Sequence, residues 1–313
     1  MRVLVTGGAG FIGSHLVEEL LRKGYQVTVY DNLSSGKEEF LREHLGRKNF
    51  KFVKGDLLDF RTLTEVVKGQ DLVCHLAANP DIRKGSEQPD LDLKQNTLAT
   101  FNLLEAMRLS EVRLLSFSSS STVYGEAKLF PTPEDYGPLL PISLYGAGKL
   151  AAEGLISAYC HTFGFRAWIF RFANIVGPKQ THGVIVDFLE KLRRNPNELE
   201  ILGDGNQTKS YLWVKDCVKG MLLAMERSEG ELNVFNLGNV DRITVRRVAE
   251  IVCEETGLRP SFRFTGGRRG WPGDVPEMML DITRICLLGW RPRYSSEEAV
   301  RKTVRILLGK EQV

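Results

Sequence analysis

The stretch TGGAGFIGSH, residues 6–15, begins where the apolar run VLVT ends and opens a segment with helical periodicity. Three of its glycines, Gly7, Gly10 and Gly13, are spaced three residues apart. Glycines at this spacing allow a tight turn and a close approach to a pyrophosphate, whose charge the N-terminus of the following helix favours. A plain strand-to-helix turn is the alternative, but this context favours dinucleotide binding. We expect the turn to contact the cofactor through Gly7, Gly10, Phe11, Ile12 and Gly13.

Short apolar runs rich in Val, Ile and Leu alternate with helical segments over more than half of the chain. This alternation implies a parallel sheet whose strands are joined by helical crossovers. Several runs are apolar at consecutive positions, as strands covered on both faces should be. The expected strands are VLVT (3–6), QVTVY (26–30), FKFV (50–53), DLVCHLA (71–77), VRLLSFS (112–118) and RAWIFRF (166–172), and the expected helices lie near 11–24, 59–68, 91–109 and 143–163.

The sequence therefore predicts an α/β fold, a doubly wound (Rossmann-type) parallel sheet with a smaller mixed α/β substrate domain at the C-terminal end. After residue 173 the pattern loosens into stretches typical of loops, such as GPKQTHG and LGDGNQTKS. A later helix and the strand LNVFNLG are expected to return to the sheet. We predict that residues 1–173, with 211–239, form the dinucleotide-binding domain, and that 174–210 and 240–313 form the substrate-binding domain.

Composition and charge narrow the class of protein. The chain has 313 residues and a net charge of +3, which is too small to argue for nucleic acid or an anionic membrane as a partner. No run approaches about eighteen apolar residues, and MRVLVTGG enters a strand pattern directly, so we expect a cytoplasmic protein without a signal peptide or membrane helix. The five cysteines are scattered, so we expect neither disulfides nor a metal site. His75, within an apolar strand, is expected to be a hydrogen-bonded core residue.

Asp31 closes the second predicted strand, about twenty residues after the glycine turn. An acidic side chain there accepts hydrogen bonds from the adenosine ribose and repels a 2′-phosphate, so NAD is favoured over NADP. Asn32 is expected to contact the cofactor beside it. The alternative is that Asp31 and Asn32 only form a turn.

Further candidates for the cofactor site follow two of the next predicted strands. Asp56 and Leu57 lie in KGDLLD, and Leu76, Ala77 and Ala78 lie in HLAAN. The carboxyl ends of the strands are where ligands of open α/β sheets bind. Asp56 could equally cap the helix that follows, and the two roles are compatible.

The stretch SSSSTVYG, residues 118–125, ends another predicted strand, and YGAGK, residues 145–149, opens a later helix. Tyr145 and Lys149 are four residues apart and therefore share one helix face. A lysine ammonium beside a phenol, near an oxidised nicotinamide, lowers the cost of forming phenolate, so Tyr145 could act as a base near neutral pH. We expect one polar residue of 118–122 to face Tyr145 and to hold the same substrate oxygen. A surface Tyr-Lys pair is the alternative that this context disfavours.

These motifs resemble those of the extended short-chain dehydrogenase/reductase family, and within it the NAD-dependent nucleotide-sugar epimerases, of which the UDP-glucose 4-epimerases are most similar. The resemblance spans essentially the whole chain and rests on TGGAGFIGSH, HLAA, SSSSTVYG, YGAGK, RFANIVGP, LGDGNQTKSYLWVKD and WPGDVPEMMLD. It implies that Ser120, four residues before Tyr124, is the catalytic hydroxyl and that Ser118 lines the nicotinamide pocket. It further implies that Lys149 holds the nicotinamide ribose and that Asn96 lies near the active site.

The resemblance also separates reactions within the family. Related 4,6-dehydratases carry Asp and then Glu where this chain has Ser121 and Thr122, and related UDP-glucuronate decarboxylases carry Glu at the second position. Hydroxyls cannot act as general acid and base at neutral pH, so the departure favours simple epimerisation. The implied enzyme is a UDP-glucose/UDP-galactose 4-epimerase with NAD retained throughout: Tyr145 takes the proton of the 4-hydroxyl, C4 is oxidised, the 4-keto sugar rotates, and hydride returns to its other face. Ser120, Thr122 and Tyr145 would contact the sugar.

For the nucleotide diphosphate, the resemblance points to Asn174, to Lys209 and to the stretch before Asp274. The chain departs from the family pattern at two positions. Lys209 stands where many relatives have Arg, and Trp271 stands where they have Arg three residues before Asp274. A lysine keeps the charge but lacks the bidentate fork of arginine.

We hypothesise that Arg268 and Arg269 in GGRRGWPGD supply the missing guanidinium and that Trp271 packs on a base or ribose. The alternative is a basic surface loop. Met278 lies where bulky aromatic residues in relatives exclude N-acetyl sugars, and its flexibility leaves the sugar size open.

The expected partner is a UDP-hexose, and the cofactor is NAD. In relatives, helices corresponding to 91–109 and 143–163 form a dimer interface, so we expect a homodimer, although burial within one chain would also explain their apolar stripes. The alternatives are another member of the family acting on a nucleotide sugar, namely a UDP-GlcNAc, uronate or xylose 4-epimerase or a reductase, and a non-catalytic NAD-binding regulator.

Overall fold

The computed structural model describes residues 1–312, apart from the side chain of Ser86. A sheet of seven parallel strands lies at its centre and confirms the predicted fold class. These strands are β1 (Arg2–Thr6), β2 (Gln26–Asp31), β3 (Phe50–Lys54), β4 (Leu72–His75), β5 (Leu114–Ser120), β6 (Arg166–Phe172) and β11 (Leu232–Leu237). They lie in the order β11-β6-β5-β4-β1-β2-β3. Because the winding reverses between β1 and β4, a crevice opens at the carboxyl ends of these two strands, where ligands of such sheets bind.

Helices cover both faces of the sheet and continue into the C-terminal part of the chain. They are α1 (Phe11–Arg22), α2 (Phe60–Val67), α3 (Lys84–Glu87), α4 (Pro89–Asp92), α5 (Ala99–Leu109), α6 (Leu144–Phe163), α7 (Val184–Arg194), α8 (Val214–Arg227), α9 (Val245–Thr256), α10 (Thr283–Leu287) and α11 (Ser296–Leu307). A wider, π-helical turn at Leu93–Leu98 joins α4 to α5. Shorter 3-10 turns occupy Glu38–His44 and Ser121–Tyr124. In the described part of the chain, no helix is long and apolar enough to cross a membrane.

The consecutive apolar residues of the strands have a direct explanation in the core. Val3 and Val5 of β1 pack into the cluster that includes residues of α1, α8 and α10. Leu4, between them, packs on the other face with residues of α2, α5 and α6. All three side chains are fully buried, so this strand needs an apolar residue at every one of these positions.

The remaining strands form small pairs beyond the sheet. They are β7 (Asn174–Val176) with β10 (Tyr211–Trp213), β8 (Glu198–Ile201) with β13 (Ser261–Phe264), and β9 (Thr208–Lys209) with β12 (Ile243–Thr244). A third core cluster joins α7, α9 and α11, whereas Ile285 of α10 and Trp290 pack in the core on the sheet. The return of LNVFNLG to the sheet is confirmed, because β11 pairs with β6. The predicted division into 1–173 with 211–239, and 174–210 with 240–313, stays a prediction.

Candidate active site

A cleft of about 620 Å³ runs across the carboxyl ends of the central strands. Most of the predicted site residues line its wall. They are Gly7, Gly10, Phe11, Ile12, Gly13, Asp31, Asn32, Asp56, Leu57, Leu76, Ala77, Ala78, Ser118, Ser120, Thr122, Tyr145, Lys149, Asn174, Lys209, Trp271, Asp274 and Met278. Asn96, Arg268 and Arg269 are absent from the lining residues of the described chain.

The glycine turn between β1 and α1 leaves no room for side chains. Gly7 has a positive φ of 71°, and a Cβ atom there would lie 2.5 Å from the backbone nitrogen of Ala77. A Cβ atom at Gly13 would lie 2.2 Å from the Gly7 carbonyl oxygen. The turn is therefore held close to β4 and to the first turn of α1, and the helix N-terminus beside it favours a phosphate. This geometry fits the pyrophosphate of a dinucleotide.

Asp31 and Asp56 line the cleft where the adenosine of the cofactor is expected. The buried Asp31 accepts hydrogen bonds from the Ala9 nitrogen at 3.0 Å and from the Leu33 nitrogen at 2.8 Å. Burial raises the pKa of Asp31, whereas these two bonds lower it. Each carboxylate oxygen thus accepts one backbone bond and keeps a lone pair for a ribose hydroxyl. Asn32 donates a hydrogen bond to Asp56 at 3.0 Å, so the side chains of Asn32 and Asp56 lie together in this part of the cleft.

The alternative role of Asp56 as a helix cap is wrong. The N-cap of α2 is Asp59, whose side chain accepts from the Thr62 nitrogen at 3.3 Å. Asp56 instead accepts from the Leu58 nitrogen at 2.9 Å and faces the cleft. Its position three residues before the cap of α2 is too early for it to reach the first free N–H groups of that helix.

Tyr145 and Lys149 lie on the cleft side of α6, as their spacing predicts. Ser143 caps this helix by accepting from the Gly146 nitrogen at 3.1 Å, which places Tyr145 in the first turn. The Lys149 Nζ donates to the Ser118 carbonyl oxygen at 2.8 Å and lies 5.8 Å from the centre of the Tyr145 ring. Because Lys149 is only 2% exposed, this bond fixes its ammonium at the end of β5, beside the Tyr145 ring.

The serines that end β5 have different contacts. Ser118 donates to the His75 carbonyl oxygen at 3.2 Å. Ser119 also lines the cleft and donates to the buried Glu153 carboxylate. Ser120 accepts from the Thr122 nitrogen at 3.2 Å and the Thr122 hydroxyl at 3.0 Å. Strand β5 runs two residues beyond the predicted end, which carries Ser120 to the cleft.

The ionisation of the Tyr-Lys pair depends on burial and on three neighbours. Burial raises the pKa of Tyr145, the charge of Asp92 raises it further, and a hydrogen bond from Ser120 lowers it. Burial lowers the pKa of Lys149 to about 7, against the charges of Glu153 and Asp92, which raise it. Ser120 is therefore the residue of 118–122 whose hydroxyl acts on the Tyr145 phenol, and its role in holding the substrate oxygen stays a prediction. The lysine titrates near neutral pH, where a small change in local charge alters its protonation.

His75 is a core residue, as predicted. It is fully buried, its Nδ1 lies 2.7 Å from the Thr6 hydroxyl, and its Nε2 lies 3.0 Å from the Thr100 hydroxyl. Burial, together with the charge of Lys149, lowers the pKa of His75 to about 3. A neutral, doubly hydrogen-bonded imidazole has a structural role. Within residues 1–312, excluding the Ser86 side chain, no cluster of three or more metal-binding side chains is found.

The structure does not place Arg268 and Arg269 where the hypothesis for the diphosphate requires them. Arg269 donates to Glu126 and to the Asp274 carbonyl oxygen, each at 2.7 Å, and Arg268 lies 4.0 Å from Glu126. Arg268 lies closer still to Glu277, at 3.7 Å, and neither arginine lines the cleft wall. Lys209 does reach the wall, where its ammonium is 2.9 Å from the Asp274 carboxylate. The sequence could not show this pairing, because the partners are distant along the chain.

Sequence reasoning also missed a buried acid beside the Tyr-Lys pair. Asp92 is 1% exposed and accepts hydrogen bonds at Oδ1 from the side-chain amides of Asn79 and Asn96, each at 3.0 Å. Asn96 was expected near the active site, and it lies behind the cleft wall. The available signal was spacing, because Asp92 and Asn96 are four residues apart in a helical segment.

The fold and this cleft define a class, a Rossmann-type α/β protein whose cleft fits a dinucleotide. The family follows from comparison with known proteins. The chain belongs to the NAD dependent epimerase/dehydratase family, whose model matches residues 3–238. Its cofactor is NAD, which the residues at the glycine turn and Asp31 fit.

Similar proteins extend over the full chain. A UDP-glucose 4-epimerase of Mycolicibacterium smegmatis is 35% identical, with all of both chains covered. A solved structure of a UDP-galactose 4-epimerase is 45% identical over all of both chains, with a TM-score of 0.89. The UDP-glucose 4-epimerase of Thermus thermophilus, solved in complex with NAD, is 35% identical over 99% of this chain and 100% of that one, with a TM-score of 0.88. Similar structures also include a UDP-N-acetylglucosamine 4-epimerase and a dTDP-glucose 4,6-dehydratase, so membership of the family leaves the reaction and the sugar open.

Proposed function

We propose that this protein is a UDP-glucose/UDP-galactose 4-epimerase. The observation that carries the proposal is the turn Ser121–Tyr124, which follows Ser120 at the cleft. It presents the hydroxyls of Ser121 and Thr122 where a dehydratase needs an acid and a base. The similarity to several 4-epimerases supports the same reaction.

The reaction needs a group that moves one proton and groups that hold the sugar oxygen. NAD, when bound, supplies the acceptor and donor of hydride. Tyr145 takes the proton of the sugar 4-hydroxyl as a general base and returns it as a general acid. Ser120 already accepts two hydrogen bonds from Thr122, so its own hydrogen is available to Tyr145 and to the sugar oxygen. Lys149 stabilises the phenolate through its fixed ammonium.

The same site must hold both epimers, because the sugar turns over between the two steps. Hydroxyl side chains suit this requirement, since each donates or accepts a hydrogen bond according to the orientation of the sugar. Ser121 and Thr122 supply two such groups at the cleft wall. Met278 lies at the wall without a charge, so it does not select a charged sugar.

Asn174, Lys209 and Trp271 line the cleft and are the groups that we assign to the uridine diphosphate. Part of the Lys209 charge is neutralised by Asp274. The N-terminus of α7 also faces this part of the cleft, and Val184, the first residue of that helix, lines it. A helix of this length favours an anion at its N-terminus and compensates for the arginines that do not line the cleft.

We also propose that the protein is a homodimer that pairs through α5 and α6. Exposed apolar or small residues recur on α6 at Leu144, Ala147, Ala151, Gly154 and Ala158. This spacing forms one stripe along the helix. Neighbouring α5 also exposes Phe101, at 41%, and Leu109, at 55%. Light scattering should give the mass of two chains, and Ala151→Arg should give the mass of one, whereas a monomeric wild-type protein would refute the pairing.

The first experiment is to incubate the purified protein with UDP-galactose, without added NAD, and to follow UDP-glucose by chromatography. Conversion is expected, because an epimerase regenerates its own cofactor and need not release it. Tyr145→Phe should reduce the rate by about 10²- to 10⁴-fold, since the ring remains and the base is lost. The folded state of the variant is checked by retained NAD.

Other substrates decide between the proposal and its alternatives. UDP-GlcNAc, UDP-glucuronate, UDP-xylose and dTDP-glucose are tested in the same assay. Faster turnover of one of these sugars would reassign the substrate, and release of water from dTDP-glucose would show a dehydratase. No conversion of UDP-galactose, even with added NAD, would refute the glucose/galactose assignment.

A further inference from the structure

The strongest observation not explained by the proposed reaction is the buried carboxylate of Asp92. It closes α4 immediately before the π-helical turn at Leu93–Leu98. The side chain is 1% exposed, and a Cβ atom at Gly85 would lie only 2.3 Å from its Oδ2. Burying a carboxylate is costly unless hydrogen bonds and nearby cations compensate for the lost water. An acid at this position therefore needs a function.

Asp92 joins two segments at the active site. Its Oδ1 accepts from the Nδ2 atoms of Asn79 and Asn96. The Oδ1 of Asn96 in turn accepts from the Asn79 backbone nitrogen at 3.1 Å. Asn79 follows the cleft residues Ala77 and Ala78, so these bonds fix the loop after β4 against the helix. The arrangement needs an acceptor at Asp92, because both amides present N–H groups to the same oxygen.

The helix that carries the Tyr-Lys pair packs directly on this group. A Cβ atom at Gly148 would lie 3.1 Å from the Asp92 carbonyl oxygen and 3.1 Å from the Asn96 Cβ. The glycine thus lets α6 approach Asp92 closely, between Tyr145 and Lys149. The carboxylate itself lies beside the start of α6, because the Cβ position at Gly85 that is 2.3 Å from its Oδ2 is also 3.4 Å from the Leu144 Cβ, next to Tyr145. In such a buried place a negative charge acts on neighbouring side chains with little screening.

We propose that Asp92 is a positioning residue whose carboxylate fixes Asn79 and Asn96 and whose negative charge holds the protons of the Tyr145–Lys149 pair, which sets the pH range of the enzyme. This inference rests on the proposed role of Tyr145 as the base. The charges that face the pair are Asp92, which acts on both members, and Glu153, which acts on Lys149. Asp81 faces Asp92 itself.

The direction of the effect follows from the sign of the charge. A negative charge stabilises the protonated forms of both a phenol and an ammonium. Its removal should therefore make Tyr145 and Lys149 both lose their protons at lower pH. Because the two groups interact, the measurable quantities are the apparent pKa values of the pair.

Asp92→Asn separates the charge from the hydrogen bonds. The asparagine oxygen can still accept from Asn79 and Asn96, so the fold and the substrate KM should change little. Both limbs of the kcat profile should move to lower pH by about one unit. On the alkaline limb this shift corresponds to as much as about tenfold lower activity. Asp90→Asn is the matched control, because Asp90 lies on the same short helix, is exposed and pairs with Lys94 at 2.6 Å; its profile should match the wild type.

A second measurement does not depend on turnover. Tyrosinate absorbance is followed against pH in the NAD-bound protein, and the Tyr145 signal is obtained by subtracting the Tyr145→Phe variant. Asp92→Asn should move this transition to lower pH, whether or not UDP-galactose is the substrate. If Asp92→Asn does not fold, Asp92→Ser carries the same test, since it also removes the charge and leaves space for a water.

The outcomes are distinct. Acidic shifts of the profile and of the tyrosinate transition support the proposal. A lower unfolding temperature with both pH dependences unchanged would show a purely structural acid and would overturn it. If the wild type does not convert UDP-galactose, the function assignment fails while the tyrosinate titration still decides the role of Asp92.

Discussion

Glu153→Gln tests the buried ion pair between Glu153 and Arg171, which contacts the end of β5 through Ser119. Glu153 and Arg171 are 6% and 5% exposed, and their closest nitrogen and oxygen are 2.7 Å apart. The Arg171 Nε also donates to Glu153, at 3.1 Å. The variant removes the negative charge and leaves the guanidinium buried with neutral acceptors only, namely the new amide oxygen at 153 and the Tyr124 hydroxyl and Glu134 carbonyl oxygen, the last two each at 2.9 Å.

An uncompensated buried charge of this kind costs about 3–5 kcal/mol, against a total stability of about 5–15 kcal/mol for an ordinary domain. Urea unfolding, followed by circular dichroism, should therefore show a clear fall in the free energy of unfolding. The control is Glu190→Gln, because Glu190 and Arg194 are largely exposed and 3.9 Å apart. Its effect should stay below about 0.5 kcal/mol.

The double variant Glu153→Leu with Arg171→Met sharpens the test. Replacing both members of a buried pair by apolar residues of similar volume is often neutral, so this variant should recover most of the lost stability. A loss below about 1 kcal/mol for Glu153→Gln would refute the reasoning, because it would mean that water or another group compensates for the guanidinium.

Three further predictions follow from the site. Gly13→Ala should reduce the NAD retained after purification, because its Cβ would lie 2.2 Å from the Gly7 oxygen; wild-type NAD content after acid precipitation would contradict this. Burial lowers the pKa of His75 to about 3 and of His15 to about 4. Folding therefore keeps both histidines neutral, and their contribution to the free energy of unfolding is fully present above pH ~6.5. It is lost as the pH falls toward 4, by about 1.4 kcal/mol per pH unit for each histidine. Urea unfolding at several pH values measures this loss. Trp271→Phe keeps an aromatic ring but removes a buried N–H that has no partner among the described residues. If this N–H donates to the bound nucleotide sugar, the KM should rise about tenfold with kcat unchanged. An unchanged KM would argue against a contact with the ligand.

The family and the cofactor could be read from local sequence. The glycine turn, Asp31 and the Tyr145–Lys149 spacing are each set within one turn, one strand end or one helix face. In such segments the backbone conformation follows from short-range sterics and hydrogen bonding. The parallel sheet was also predictable, because strands covered on both faces, such as β1, require apolar residues at consecutive positions.

The placement of Lys209, Arg268 and Arg269 depends on contacts between distant segments of the chain. Arg268 and Arg269 have the charge that a diphosphate needs, but they pair with Glu277 and Glu126 outside the cleft wall. Lys209 meets Asp274 only because β9 and the segment after residue 270 fold together. Ion pairs between distant segments depend on the relative placement of several elements, which no local pattern specifies.

The sequence by itself determined the sheet, the dinucleotide turn and the candidate base, because each of these follows from the order of neighbouring residues. Tertiary structure alone decided which charges act on that base. Asp92 reaches the Tyr-Lys pair from α4, a separate segment of the chain, and its effect depends on burial and distance. Electrostatic energy falls with separation in space rather than along the chain, and so the ionisation of this site could be understood only after the chain was folded.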